Sequence, residues 1–252
     1  MGTLSANTLF HFTKEKNTLI NILKTKFYPK LCLEDNFIFS KESTKMAYPM
    51  VCFCDIPLSQ INNHAATYGK YAIGLKKEWA IKNGVTPILY THKDSLISKN
   101  FRLNYTDIYA ALVANPLDNQ MPDLWGSLLY TSFFIKPYKG KHVVFYNERE
   151  WRYTLPRKIF IEQLKHEKGN VTNAFLTEAE YNKSNIDAIN ERNEQYGLEF
   201  TPNDINYIIV EKESEILEIM DAIQRIKSRH PYEDVKLLST RIISMERITE
   251  DF

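Results

Sequence analysis

The chain has 252 residues, of which 44% are hydrophobic and 25% charged, so its composition is that of an ordinary globular protein with one large domain or two small ones. Its 32 basic and 31 acidic residues give a net charge of +1, which excludes a strong overall attraction to nucleic acid or membrane but not a local basic patch. No apolar run approaches the ~20 residues of a membrane-spanning helix, the start lacks the features of a signal peptide, and the cysteines are too few for a disulfide framework. We therefore expect a cytoplasmic protein.

The glycines argue against two common nucleotide-binding loops. The chain has eight glycines, and they form no G-x-G-x-x-G pattern of the kind that opens a dinucleotide-binding Rossmann fold. The segment from Gly69 to Lys76 has two suitably spaced glycines but lacks the Gly-Lys-Ser/Thr ending that holds phosphates and magnesium. Any nucleotide bound by this protein is therefore held in another way.

In the first half of the chain, short apolar runs alternate with amphipathic segments. Strands are predicted at residues 8–13, 37–39, 50–54, 71–75 and 87–90. Helices are predicted after an N-cap at Thr13, from Asp55 to Gly69, and over residues 77–82, 104–114 and 124–134.

The second half begins with two predicted strands, residues 143–146 and 150–153, and then changes character. Residues 162–204 are rich in Asn, Glu, Lys and Thr, and we interpret them as a polar, partly helical insertion outside the core. The elements predicted after it are a strand at 205–210, a helix capped by Ser214, a strand at 237–243 and a final helix that starts at Ser244.

The mixture of short strands and helices without regular alternation indicates an α+β fold. We divide the chain into a core of residues 1–161, the polar insertion of residues 162–204, and a β-α-β-α element of residues 205–252. The apolar residues of this last element are too few to close a core alone, so we expect it to pack on the first unit.

Two cysteines, Cys52 and Cys54, lie two apart on a predicted strand and therefore share one face. A zinc site typically draws four ligands from two close pairs, and the sequence has no second pair of this kind. We interpret both cysteines as small buried thiols and predict no metal site.

The sequence Glu148-Arg149-Glu150-Trp151-Arg152 is the strongest candidate for chemistry. On a strand, Glu148, Glu150 and Arg152 share one side, and neighbouring carboxylates raise at least one pKa, so that one can act while the other orients. Arg152 would temper their repulsion. The alternative is an exposed strand face of alternating charge with Trp151 buried.

Two further candidates combine histidines with a hydroxyl or an aromatic ring. His11 shares a strand face with Leu9 and Thr13, so its imidazole and the neighbouring hydroxyl could bind a ribose. His64 and Tyr68 are four residues apart on one helix face, where stacked rings followed by a strand could sandwich a flat heterocycle. The alternatives are a core histidine and ordinary helix packing.

Five segments occur together in an order that is typical of one bacterial family. They are residues 9–13 (LFHFT), 50–59 (MVCFCDIPLS), 68–75 (YGKYAIGL), 148–152 (EREWR) and 242–252 (IISMERITEDF). On these segments the chain resembles the AbiGi family of abortive-infection proteins over nearly its whole length. The resemblance implies a phage-resistance component, often labelled the antitoxin of a pair, with a cognate toxin or antitoxin as its protein partner.

A more distant resemblance is to the ADP-ribosyltransferases. It rests on the order of a strand with His-x-Thr, a tyrosine-rich helix and strand, and a late Glu-x-Glu. The resemblance implies a split β-sheet with surrounding helices, to which the C-terminal strand-helix-strand is an addition. It also implies that NAD binds in the cleft as a substrate.

This second resemblance assigns roles to His11, Tyr68 or Tyr71, Glu148 and Glu150, and the neighbouring Thr13 and His64, as further candidates for cofactor binding, complete a set of seven candidate residues. The assigned roles are binding of the NAD ribose for His11, support of the nicotinamide ring for Tyr68 or Tyr71, catalysis for Glu150, and positioning of the acceptor for Glu148. A preorganised carboxylate suits this chemistry because cleavage of the glycosidic bond develops positive charge. The assignment predicts one cavity that contains His11, Tyr68 and a partly buried Glu150 that is not half of a buried ion pair.

Three functions therefore compete. The first is an NAD-dependent ADP-ribosyltransferase, a toxin or effector that modifies nucleic acid or protein. The second is a non-enzymatic antitoxin or regulator that keeps the same scaffold. The third is a nucleic-acid-binding module, suggested by basic residues near the predicted cleft, namely Lys136, Lys139, Lys141, Arg149, Arg152, Arg157 and Lys158.

Overall fold

The computed structural model describes residues 6–39, 44–115, 121–166 and 175–251, so residues 167–174 of the predicted insertion lie outside the described residues. The strands are β1 (Thr8–Thr13), β2 (Lys30–Asn36), β3 (Thr44–Cys54), β4 (Tyr71–Lys76), β5 (Thr86–Pro87), β6 (Leu89–Thr91), β7 (Ile135–Pro137), β8 (Glu150–Thr154), β9 (Leu176–Thr177), β10 (Ile205–Val210) and β11 (Ile242–Ser244). The helices are α1 (Lys16–Lys24), α2 (Ile61–Tyr68), α3 (Lys77–Lys82), α4 (Leu96–Ala114), α5 (Met121–Ser132), α6 (Arg157–His166), α7 (Glu178–Tyr181), α8 (Ile186–Asn193), α9 (Ile216–Ile226), α10 (Tyr232–Ser239) and α11 (Met245–Asp251).

The described strands form one large, mostly antiparallel sheet and one small parallel pair. The large sheet has the order β11-β10-β4-β1-β3-β8-β5, and β2 and β9 also pair with the long strand β3. Its one parallel pairing joins β10 to β11, and the separate pair joins β6 to β7. The fold is therefore α+β, as the sequence predicts. Among the described residues, no helix is both long enough and apolar enough to cross a membrane.

The alternation of β1 places apolar side chains on both faces of the sheet. Leu9 belongs to a buried cluster that includes side chains of α1, α9 and α10, whereas Phe10 belongs to a second cluster with side chains of α2 and α11. Successive strand residues point to opposite faces, so helices cover both sides of this half of the sheet. A third cluster packs α5 and α6 against β3.

Gly69 ends α2 and turns the chain into β4. Its φ is 115°, which a residue with a side chain rarely adopts, and a Cβ there would lie 2.2 Å from the carbonyl oxygen of Thr13. The predicted helix end at Gly69 is confirmed. The same turn brings Tyr68, at the end of α2, close to the carboxyl-terminal part of β1.

Several predicted elements are confirmed with bounds within one residue. These are the strands at 8–13, 71–75 and 205–210 and the helix at 77–82. The predicted strand 50–54 is the end of the longer β3, and the predicted helices 104–114 and 124–134 correspond to α4 and α5. The helix predicted from Asp55 begins later, with a 3₁₀ turn at Leu58–Gln60 followed by α2.

Three predicted strands are wrong, because one apolar run is buried without pairing, one lies in an exposed loop, and one is mainly helical. Residues 37–39 follow β2, and Phe37 and Ile38 pack with Phe101 instead of extending the strand. Residues 143–146 form a loop and the start of a 3₁₀ turn, with Val143 46% exposed. Residues 237–243 contain the end of α10, whose buried residues Val235 and Leu238 follow helical spacing, and only the start of β11.

The remaining differences concern helix caps and one divided strand. Helix α1 begins after Glu15 and α9 after Glu215, so the predicted caps at Thr13 and Ser214 are wrong. Ser244 does cap α11, because its Oγ accepts a hydrogen bond of 3.2 Å from the Arg247 amide. The predicted strand 87–90 is divided between β5 and β6.

The segment predicted as a polar insertion contributes to the core in its described part. Leu176 and Ile189 are 0% and 3% exposed, and β9 pairs with β3. Asn190 accepts a 2.8 Å hydrogen bond from the Leu31 amide, which ties α8 to β2. The interpretation of this segment as lying outside the core is therefore wrong for residues 175–200.

The C-terminal segment extends the large sheet. Strand β10 pairs antiparallel with β4, and Ile208 is opposite Ile73. Buried residues of α9 and α10, among them Ile223 and Leu238, join the cluster that contains Leu9. Because residues 237–243 are not one strand, the order of elements is β-α-α-β-α rather than the predicted β-α-β-α.

Candidate active site at the opening between β1 and β3

The large sheet opens between two of its central strands. Strand β1 pairs with β4 along its whole length, but it pairs with β3 at one position, Phe10 opposite Cys54. Next to this position, the imidazole Nδ1 of His11 lies 2.8 Å from the carbonyl oxygen of Cys52 on β3. A side chain therefore takes the place of further backbone pairing, which leaves a cleft between the two strands beyond Phe10 and Cys54.

A cavity of about 160 Å³ lies in this cleft. Its lining includes five of the seven predicted site residues, namely His11, His64, Tyr68, Glu148 and Glu150. Thr13 and Tyr71 are not among the lining residues, and the Tyr71 hydroxyl instead donates a 3.0 Å hydrogen bond to Glu215. The structure thus brings together residues from β1, α2 and the start of β8 that are far apart in sequence.

Aromatic and imidazole rings form one wall of the cavity. His64 stacks on Tyr68 with ring centroids 4.4 Å apart, and Phe12 lies 5.0 Å from His64. Burial lowers the pKa of both His11 and His64 below the ordinary value of 6.5, so both imidazoles are neutral at pH 7. Since the carbonyl of Cys52 can only accept, His11 donates from Nδ1, and its Nε2 is left as an acceptor.

The two candidate carboxylates do not lie on one strand, although they do meet. Glu148 ends a 3₁₀ turn, Arg149 has a left-handed φ of 47°, and β8 begins at Glu150. This turn aims both carboxylates at one ammonium group, because Lys136 donates to Glu148 over 2.8 Å and to Glu150 over 3.0 Å. The Tyr68 hydroxyl also donates to Glu148, over 2.7 Å. Pairing around Lys136 therefore replaces the shared strand face that the sequence predicts.

Glu150 is half of a buried ion pair, contrary to the expectation from the sequence. Its side chain belongs to a residue that is 5% exposed, and the fully buried Arg152 donates to it from Nε over 2.8 Å. Burial alone would raise the pKa of Glu150, but the charges of Arg152 and Lys136 outweigh burial and lower the pKa to about 2. Glu150 is thus an ionised carboxylate at pH 7, with a cation on each oxygen.

The cluster carries one excess negative charge. Arg152 also donates to Glu34, over 3.0 Å, so three carboxylates (Glu34, Glu148 and Glu150) surround two cations. Tyr48 and the carbonyl of Phe133 take further donors of Arg152, which leaves this guanidinium well satisfied. The cavity therefore favours a cationic or electron-poor group.

Burial disfavours the thiolate form of the cysteines near the cavity. Burial raises the pKa of both Cys52 and Cys54, so both remain thiols at pH 7. The part of the chain that the structure describes contains no group of three metal-ligating side chains. The cavity thus offers carboxylates, imidazoles and a phenol as its reactive groups.

Sequence reasoning missed three members of the cluster, Glu34, Tyr48 and Lys136. The one local signal was a lysine within the apolar run of residues 133–137, since a charge in such a run needs a partner. Lys136 and Arg152 were instead candidates for nucleic-acid contact. They are 8% and 0% exposed, so neither is free to reach a phosphate, and this part of the third hypothesis is wrong.

The fold and the cavity define an α+β protein with a carboxylate, imidazole and tyrosine site at the opening of its central sheet. Residues 25–211 match a family model with the description "Putative abortive phage resistance protein AbiGi, antitoxin". The chain therefore belongs to the AbiGi family of abortive phage resistance proteins. The matched segment contains Lys136, Glu148, Glu150 and Arg152, whereas His11 precedes it.

A similar curated protein is also described as an AbiGi protein. The "Abortive phage resistance protein AbiGi" of Lactococcus lactis subsp. cremoris is 29% identical over 240 residues, which covers 84% of this chain and 93% of that protein. No solved structure matches the chain. The relationship thus extends over nearly the whole of the relative's length.

Proposed function

We propose that this abortive phage resistance protein is an ADP-ribosyltransferase that cleaves NAD in the cavity between β1 and β3. The observation that carries the proposal is the convergence of His11, Tyr68, Glu148 and Glu150 on one cavity, at the place where the sheet opens. These are the residue types that hold a ribose, support a flat ring and stabilise positive charge. The acceptor is a nucleophilic nitrogen or oxygen of a nucleic acid or protein.

The charges of the cavity suit the reaction. The nicotinamide ring of NAD is cationic, and the cluster carries one excess negative charge. As the bond between ribose C1′ and the nicotinamide nitrogen breaks, the electron pair leaves with nicotinamide, and positive charge develops on the ribose. Glu150 is ionised and held rigidly by Arg152, so its charge needs no reorganisation as the reaction proceeds. The acceptor then bonds to C1′ and loses its proton.

Hydrogen bonding supports the same substrate. The neutral His11 keeps Nε2 as an acceptor, which suits a ribose hydroxyl, while stacked His64 and Tyr68 offer a flat surface to a ring. The cavity of about 160 Å³ is smaller than the roughly 300–1000 Å³ of a pocket that encloses a whole ligand. We therefore expect the nicotinamide end to enter and the rest of the dinucleotide to lie along the cleft.

A second candidate function is a non-enzymatic antitoxin that binds a cognate toxin. One structural observation favours it: both carboxylate oxygens of Glu150 are engaged, one by Arg152 and the other by Lys136. A carboxylate neutralised in this way can be a purely structural group. The printed description of the family model, which includes the word antitoxin, agrees with this alternative.

Calorimetric titration with NAD and measurement of nicotinamide release test the proposal. We expect the wild-type protein to bind NAD, to bind it more weakly when nicotinamide is present, and to release nicotinamide. Glu150→Gln should lower the release rate by about a hundred- to a thousandfold, because it removes the charge that faces the developing cation. Exposed Glu162 provides the matched control, and Glu162→Gln should leave the rate unchanged.

Both variants must be assayed where denaturant melts show that they are folded, since Glu150 also contributes to stability. If the wild-type protein neither binds NAD nor releases nicotinamide, the enzyme proposal is wrong and the antitoxin alternative remains. If Glu150→Gln is folded and keeps its full rate of nicotinamide release, Glu150 has no role in catalysis.

A further inference from the structure

A second and larger concavity lies away from the cavity and shares none of its lining residues. This groove has a volume of about 1200 Å³ and lies where α1, α3 and α9 end. Seven lysines and arginines line it against three carboxylates, an excess of four positive charges in a chain whose net charge is +1. The positive charge of the protein is therefore concentrated on this surface.

Most of these cations form no ion pair with the described residues. Lys26 lies 3.6 Å from Glu199, and this is the one ion pair that a lining cation makes among the described residues. The other six, which have no ion-pair partner in the described part of the chain, are Lys24, Lys76, Lys82, Arg225, Lys227 and Arg229. They come from separate elements that converge on the groove, so they bracket it from several sides.

Stabilisation of helix ends explains why some of these lysines and arginines are present, but it does not account for the excess of four positive charges in the groove. Lys24, Lys82 and Arg225 lie in the last turns of α1, α3 and α9, where cations are favourable. Each helix end contributes roughly half a negative charge, so three ends reduce the excess of four only partly. Lys76 precedes the first turn of α3, where a cation is unfavourable, and Arg229 lies beyond α9.

Lys227 shows the missing counter-charge most clearly. The residue is 5% exposed, and its ammonium lies 4.6 Å from the ring centroid of Phe200, with no carboxylate paired to it in the described residues. Burial lowers the pKa of Lys227, which means that the folded protein disfavours its charged form. A bound anion would supply the negative charge that Lys227 lacks among its described neighbours.

We propose that the groove binds the phosphate backbone of single-stranded nucleic acid. Cations along its sides can contact successive phosphates, and a concave groove admits one flexible strand more readily than a rigid duplex. The half-buried ring of Tyr28 lies beneath Lys26, 5.9 Å from its ammonium, and offers a surface on which a base can stack. The inference goes beyond the proposed function and does not depend on it, because the groove and the cavity share no residue.

Fluorescence anisotropy with a labelled mixed-sequence single strand of twelve nucleotides, as DNA and as RNA, tests the proposal at several salt concentrations. We expect wild-type affinity to fall steeply with salt, as phosphate contacts require. Lys24→Glu with Lys82→Glu should weaken binding by about tenfold or more and reduce the salt slope by roughly 1.4, since single strands lose about 0.7 per phosphate contact.

The matched control is Lys99→Glu with Lys183→Glu, which changes the net charge equally at exposed lysines outside the groove. It should change affinity less than about twofold. Because glutamate at a helix end can destabilise the fold, Lys24→Gln with Lys82→Gln serves as a milder variant, for which we expect an intermediate loss of affinity. Equal losses in the groove and control variants would overturn the proposal, as would unchanged affinity in both groove variants.

Ultraviolet crosslinking followed by peptide mapping locates the strand. We expect crosslinks in the peptide that contains Tyr28 or in the peptide that contains Arg229. Crosslinks confined to the basic loop at Lys139 and Lys141 would overturn the assignment, as would tighter binding of a duplex than of either single strand. NAD turnover is measured separately, so failure of nucleic-acid binding and failure of the proposed enzyme are distinguishable.

Discussion

The cavity region and the groove region each contain a buried cation, but the two cations differ in whether carboxylates neutralise them. Arg152 is completely buried in the cavity region, and Glu34, Glu150, Tyr48 and a backbone carbonyl all accept its hydrogen bonds. Lys227 is nearly as buried in the groove region, and its described partner is the face of Phe200. One charge is neutralised within the protein, and the other is not.

The difference separates two uses of charge. A buried ion that is fully paired is part of the folded structure, and removing one partner leaves the other uncompensated. A buried or clustered ion without a counter-charge costs stability in the free protein, and a ligand of opposite charge can recover that cost. We therefore expect the loss of Arg152 from the cavity network to lower stability strongly, and variants in the groove to act mainly on binding.

The largest expected effect is that of Arg152→Met. The substitution leaves Glu34 and Glu150 buried or half-buried without their main counter-charge, and it removes the donor from which the Tyr48 hydroxyl accepts a hydrogen bond. Removing one partner of a buried pair typically costs about 3–5 kcal/mol. Urea denaturation should show this loss, whereas Arg225→Met, at an exposed arginine of the groove, should leave the unfolding midpoint nearly unchanged. Equal midpoints for the two variants would remove the distinction between the regions.

The next effect concerns acid stability. The pKa of Glu150 is about 2 in the folded protein and 4.5 when it is unperturbed, so its contribution is fully present above pH 4.5 and is lost as the pH falls toward 2. The shift corresponds to roughly 3 kcal/mol. In urea denaturation at pH 7, 4 and 3, the free energy of unfolding of the wild type should therefore exceed that of Glu150→Gln by an amount that decreases as the pH falls. If the difference in free energy of unfolding between the two proteins is constant from pH 7 to pH 3, the ionised form of Glu150 is not stabilised in the folded protein.

A smaller effect is expected at the edge of the network. Glu148 accepts from Tyr68 over 2.7 Å and from Lys136 over 2.8 Å, and glutamine retains one acceptor for these donors. Glu148→Gln should therefore cost only about 1 kcal/mol in urea denaturation. If the proposed enzyme is correct, the variant should impair transfer to an acceptor more than hydrolysis of NAD. Measuring both rates on the same preparation checks this, and equal losses would assign Glu148 a merely structural role.

Patterns in the sequence correctly predicted those elements whose own apolar residues determine that they are buried. Strands β1, β4 and β10 are apolar runs of suitable length, and α3 lies between a strand and an Asn-Gly pair that stops it. The wrong strand at residues 37–39 has the same apolar composition, but it packs with Phe101 in a side cluster. Composition shows that such a run is buried, and only the tertiary structure shows whether it has a partner strand.

For the candidate site, the sequence predicted several of the residues that line the cavity but not the charges that surround them. The residue types at His11, Tyr68, Glu148 and Glu150 indicated chemistry, and all four line one cavity. Their electrostatic environment was not predictable, because Glu34 and Arg152 are 118 residues apart in sequence and meet only in the folded sheet. Without those contacts, Glu150 resembles a free carboxylate rather than a member of a buried network.

The smallest expected change in stability is that of Lys227→Met, and unlike the others it is an increase. Methionine has a similar length and no charge, so it fills the space beside Phe200 without the cost of burying an unpaired ammonium. Since burial lowers the pKa of Lys227, the unfolded chain binds its proton more tightly, and wild-type stability should rise as the pH increases toward 10.5. Lys227→Met should have a slightly higher urea midpoint than the wild type at pH 7, should lack this rise between pH 8 and pH 10, and should bind single strands more weakly. A lower midpoint at pH 7 would show that Lys227 is stabilised within the free protein, and the contrast with Arg152 would then fail.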